Sequence, residues 1–200
     1  MSQVHKRRVT IDRRRFLGAS AAFVFLPRAA RAHHSTVIPA LREGGHIVYF
    51  RHAATQWSGI DRIEWPRERQ RLLSAEGERQ ARVIGTAWED LDIPIGEVWT
   101  SPFARCADHA RISFGRARED MRLIGLLSDD AGRAERIAFL RDLVTKSPEV
   151  GTNRVIVAHR SNIAEVAGIA LEEGEGAVLT PDSSGGFASR GTFMPDAWTS

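Results

Sequence analysis

The chain has 200 residues, of which 42% are hydrophobic and 26% charged, a balance that suits a soluble globular protein and excludes a disordered or a membrane one. Its net charge of +3 is unevenly spread: residues 1–32 hold eight of the 28 basic side chains and a single acid, Asp12, which leaves 20 bases and 24 acids beyond them. A remainder of net charge −4 gives nucleic-acid binding no electrostatic footing, and Cys106, the lone cysteine, excludes an intramolecular disulfide.

Residues 1–32 read as a cleavable export signal, with a basic start, an apolar stretch from Phe16 to Leu26, and Ala30-Arg31-Ala32 as a small-x-small cleavage site. The apolar stretch is too short to span a bilayer. Within the segment, Arg13-Arg14-Arg15-Phe16-Leu17 resembles the twin-arginine signature, which implies the twin-arginine export machinery as a partner and a bacterial periplasm as the destination. The mature chain then starts near His33 and is expected to have no stable membrane insertion. Its length lets it bury a core unaided, with Cys106 as a small buried hydrophobe. Residues 33–44 read as a short N-terminal segment and 45–200 as one domain.

His46-Ile47-Val48-Tyr49-Phe50 is a β-rich apolar run that reads as a buried strand and ends on Arg51-His52. From Thr55 to Leu73 no period persists, which predicts a surface loop or lid. Ser74 with Glu76 and Glu78 opens a helix whose inner face carries Ala81, Ile84, Gly85, Trp88 and Leu91. Beyond Pro94, Val98-Trp99 predicts a short strand, and Ser101-Pro102 opens a helix to about Phe114 that Gly115 stops. Met121–Leu127 reads as a further strand, and Arg133 to about Lys146 as a helix with Ile137, Leu140 and Val144 inward. Arg154-Val155-Ile156-Val157-Ala158 is a strand ending on His159, with Ser161-Asn162 as the cap of the next helix. The Gly-rich tail suggests a hairpin with Ala177-Val178-Leu179 on one strand. This alternation predicts an α/β fold, three-layer α/β/α with a mainly parallel central sheet in a single domain, and ligands beyond the carboxyl ends of the strands.

Two strands therefore end in histidine, one of them behind an arginine, and Arg105 follows a Ser-Pro helix start. Arginine's planar fork suits phosphate oxygens, and a neutral histidine can attack phosphorus to form a covalent intermediate. The four motifs Ile47–Ala53, Leu73-Ser74-x-x-Gly77-x-x-Gln80-Ala81, Trp99-Thr100-Ser101-Pro102-x-x-Arg105 and Val155–His159 stand in the order and spacing of the histidine phosphatase superfamily, the phosphoglycerate-mutase-like group. The chain resembles that family over residues 45–198 and its short exported members in the Gly174-Glu175-Gly176-Ala177-Val178 hairpin. The resemblance implies that His52 is the nucleophile that becomes phosphohistidine and that Arg51, Arg105 and His159 hold the phosphoryl oxygens, with no metal and no cofactor.

No motif marks the general acid; Asp129 and Asp130 are the candidates, with Glu173 and Glu175 behind them. Three residues depart from the family pattern. Ala53 and Ala158 replace glycines, which is acceptable where φ is negative, and Arg160 follows His159 where a small or neutral residue is usual. His109 stands where the family often has threonine and reads as structural. The expected function is an exported phosphatase acting on a small phosphorylated substrate, an envelope sugar phosphate among the candidates. The alternative is a catalytically impaired module of the same fold that only binds a phosphate ligand.

Overall fold

A computed structural model describes residues 34–127 and 131–199 of the chain. The export signal read at residues 1–32 lies outside the described residues, as do the candidate acids Asp129 and Asp130. Among the described residues the centre is a six-stranded sheet in the order β3 (Arg118–Glu119), β2 (Ile95–Thr100), β4 (Asn153–Ala158), β1 (Ile47–Arg51), β5 (Gly176–Pro181) and β6 (Phe187–Phe193). The first four run parallel, with Val48 opposite Val155 and Trp99 opposite Ile156. The hairpin β5–β6 adds antiparallel to the free side of β1. The fold is thus the single-domain, mainly parallel α/β sheet expected.

Strand periodicity sorts the side chains into two cores. Val48, Phe50, Val98, Val155 and Val157 face one side, against α1 (His34–Glu43), α2 (Ala75–Asp90) and α3 (Ala104–Phe114). Ile47, Tyr49, Trp99 and Ile156 face the other, against α4 (Arg133–Thr145) and α5 (Arg160–Ala167). Every residue of β4 is buried, as a central parallel strand covered on both faces requires.

Four expectations are corrected. Residues 33–44 are not merely a segment: α1 packs Val37, Ile38 and Leu41 on the first core, and Asn153 donates to the Leu41 carbonyl at 2.7 Å. Pro39 inside this helix hides it from a propensity reading. Met121–Leu127 is not a strand but a 3-10 turn at Met121–Leu123 and an irregular stretch, while the strand that pairs with β2 is the polar Arg118–Glu119. The apolar run buries Leu123, Ile124 and Leu126 as a cover, and burial alone does not distinguish the two conformations. Ser161 and Asn162 lie inside α5, whose N-cap position is His159. Ser161 Oγ accepts from the Leu126 N–H at 3.0 Å and the Asn162 amide donates to the Ile124 carbonyl at 2.9 Å, so both tie down that cover. In α4, Ile137 is half-buried, and Arg136, Leu140, Leu143 and Val144 are the buried residues.

Candidate active site

Because β1, β2 and β4 are parallel, their carboxyl ends share one edge, where Arg51-His52, Thr100-Ser101 and Ala158-His159 leave the sheet. The His52 N–H donates to the Ala158 carbonyl and its own carbonyl accepts from the Gly174 N–H, both at 3.0 Å, so its backbone is clamped from two sides. Its buried ring places Nδ1 2.9 Å from the Ala53 carbonyl. A carbonyl only accepts, so Nδ1 carries the proton and Nε2 keeps a lone pair. Burial pushes the imidazole well below its ordinary 6.5, with Arg105, Arg51 and Arg71 acting the same way against the opposing Ala53 carbonyl. The ring is therefore neutral and nucleophilic at neutral pH.

Arg105, in the first turn of α3, is buried with its guanidinium 4.4 Å above the Phe103 ring. One end pairs with Asp61 and the other lies 3.3 Å from His159 Nδ1. Arginine has no acceptor, so His159 Nδ1 accepts and Nε2–H donates to Ser101 Oγ at 2.9 Å. Burial, then Arg105, holds His159 well below 6.5 as well. The two imidazoles stand 5.7 Å apart. Cys106 Sγ lies 3.8 Å from His159 Nε2, and burial raises its thiol to about 12, which leaves it an inert packing group.

Arg51 donates to the Leu171 carbonyl at 3.1 Å and to Glu173 at 3.3 Å. Arg71 reaches the same Glu173 at 3.6 Å and donates to Thr55 Oγ1 at 2.7 Å. Glu173 thus holds two guanidiniums side by side. Arg51, His52, Arg71, Arg105 and His159 line a cleft of about 1040 Å³ whose lining also includes the apolar Ile60, Ile63, Ile124 and Leu127. This mixture of cationic and apolar lining suits an anion attached to a larger body. Among the described residues no group of three or more His, Cys, Asp or Glu could hold a metal ion.

The sequence profile described as the histidine phosphatase superfamily (branch 1) matches residues 47–139, the stretch that carries Arg51, His52 and Arg105. Over that stretch the chain is similar to the histidine phosphatase superfamily. No curated protein matches it. Several solved phosphatases share the fold. The protein histidine phosphatase SixA complexed with tungstate is 16% identical, with a TM-score of 0.57 over 76% of this chain and 97% of that one. The alpha-ribazole phosphatase from Shigella flexneri is 17% identical, with a TM-score of 0.55 over 75% and 96%. The mycobacterial glucosyl-3-phosphoglycerate phosphatase is 18% identical, with a TM-score of 0.54 over 73% and 97%.

In this fold, Arg51, His52, Arg105 and His159 converge on one cleft from three separate stretches of chain. Glu173 lies behind two of the arginines, and Glu175 accepts from the Glu172 N–H at 2.8 Å within its own loop. Ala53 and Ala158 avoid the left-handed region, since Asp92 is the one described non-glycine residue there. Arg160 is exposed at the rim. Three residues that sequence reasoning gave no role complete the site: Asp61, Arg71 and Ser101. Ser101 sat in a quoted motif, whereas Asp61 and Arg71 come from the aperiodic loop, where no spacing marks them.

Proposed function

We propose that the chain is an exported phosphatase that hydrolyses phosphomonoesters through a phosphohistidine on His52, without a metal. Similarity to the superfamily over residues 47–139 supports phosphatase activity, and the observation that carries the finer reading is a neutral, buried His52 with Nε2 unprotonated among three arginines. Nε2 attacks phosphorus as the bond to the leaving oxygen breaks, and Arg51 and Arg105 hold the phosphoryl oxygens while charge redistributes. His159, linked to Arg105, completes that cradle. The leaving oxygen takes its proton from Asp129 or Asp130, which follow the cleft residue Leu127 in sequence. Water then cleaves the P–N bond, returning inorganic phosphate and free His52.

The substrate in this reading is a small phosphorylated molecule, with envelope sugar phosphates favoured by the export signal. No described helix is long and apolar enough to cross a membrane. The test is incubation with p-nitrophenyl phosphate in EDTA, an alkaline quench, and a search for phosphate on His52 beside a His52→Ala control. Phosphate release with a labelled His52 is expected. Hydrolysis without that label would reject the mechanism, and vanadate binding with neither signal would indicate the binding module. Mass spectrometry of the secreted protein is expected to find an amino terminus at His33.

A further inference from the structure

Arg105 is fixed on three sides: Phe103 lies beneath its guanidinium, His159 takes one end and Asp61 the other. The pair with Asp61 is nearly dry, with side-chain exposures of 7% for Arg105 and 3% for Asp61. A guanidinium held this way already has its charge met at one end by a carboxylate, so a phosphoryl group that pairs with Arg105 competes with Asp61. Carboxylate and phosphoryl oxygens are equivalent acceptors for an arginine fork, and two anions crowded on one fork repel.

The carboxylate belongs to the loop and not to the sheet edge. The base of the loop is anchored independently, by the Thr55–Leu73 bridge and by Gln70, which accepts from the Ala104 N–H at 3.0 Å. At the tip, Gly59 has φ +126° and Ile60 is exposed. Asp61 is one tie between this tip and the sheet edge, beside the Arg71 bond to the Trp57 carbonyl at 2.9 Å: it accepts from the Arg62 N–H at 3.0 Å and the Arg71 N–H at 3.1 Å while pairing with Arg105. Releasing one carboxylate therefore loosens the tip without undoing the base.

We infer that Asp61 is a displaceable counter-ion of Arg105, whose place the phosphoryl group takes on binding and which returns to expel product phosphate. This rests on the phosphoryl site read above. Asp61 is then a positioning residue: it keeps Arg105 aimed between turnovers and sets how tightly phosphate is held, without touching the reacting atoms.

The isosteric variant Asp61→Asn removes the competing charge. Its inhibition constant for inorganic phosphate against p-nitrophenyl phosphate is expected to fall by about tenfold or more, because the binding-competent state no longer has to be won from the ion pair. An unchanged or higher constant would overturn the inference, since a merely supporting residue weakens the site when lost. In the wild-type protein, orthovanadate is expected to speed hydrogen exchange at the Arg62 and Arg71 amides. Unchanged or slower exchange, or no vanadate binding, overturns it even if the variant does not fold. Tighter vanadate binding in Asp61→Asn without phosphate on His52 would reject the hydrolytic mechanism and leave the role of Asp61 standing.

Discussion

Which nitrogen of His52 carries the proton decides what the residue can do. The Ala53 carbonyl at 2.9 Å selects the Nδ1–H tautomer, and burial with three neighbouring guanidiniums disfavours a second proton. The folded pKa lies well below 6.5, so the neutral form persists as pH falls through 6.5 and is lost only further down. The acid limb of kcat/KM for p-nitrophenyl phosphate, corrected for ionisation of the substrate, is therefore expected well below pH 6.5. A limb at 6.5 would mean that the ring is solvated and the arginines are remote. His52 and His159 were legible in sequence because each closes an unmistakable β run, and Arg105 because a Ser-Pro start fixes its helical turn. Asp61 and Arg71 were not, since a loop without period leaves no trace of which side chain folds back over the sheet edge.

At the scale of elements, α2 is joined to the nucleophile by its first two turns. Ser74 caps it, accepting from the Gly77 N–H at 3.1 Å, and the Ser74 N–H donates to the Ala54 carbonyl at 2.9 Å. Gln80 Oε1 accepts from the Ala54 N–H at 3.0 Å. Gly77 makes this approach possible, because a Cβ there would lie 2.0 Å from the Ala54 carbonyl oxygen. That contact is with backbone and cannot be relieved by a rotamer change. Gly77→Ala is expected to destabilise the fold by about 1–3 kcal/mol, and to lower kcat by displacing the chain just past His52. Urea denaturation and steady-state kinetics measure the two effects. Full activity at reduced stability would show that α2 supports the fold without positioning the nucleophile. The spacing Ser74-x-x-Gly77-x-x-Gln80 was visible in the sequence because all three contacts fall within one short helical segment. The Met121–Leu127 cover and α1 were not, the first because its apolar run has no period and the second because Pro39 interrupts it.

At the scale of the molecule, two cores flank one sheet, and the first is dense in rings: Phe50 stands 6.0 Å from Trp88, 5.9 Å from Trp198 and 5.6 Å from His109. His109 is fully buried there with neither ring nitrogen hydrogen-bonded, a structural residue as expected but an expensive one. Burial is the single cause that lowers its pKa, to about 3. The unfolded chain takes up this proton near 6.5, the folded one only near 3, so the unfolded state binds more protons throughout that window. Stability from this residue is complete above 6.5 and falls with pH at about 1.4 kcal/mol per unit, or about 2 kcal/mol between pH 7 and pH 5. His52 and His159 push in the same direction. His109→Leu removes one of the three, and its urea midpoint is expected to depend less on pH than the wild type's and to exceed it at pH 5. Equal pH dependence in the two proteins would mean that the folded state accepts a proton at His109 as readily as the unfolded chain, and hence that this core is not dry.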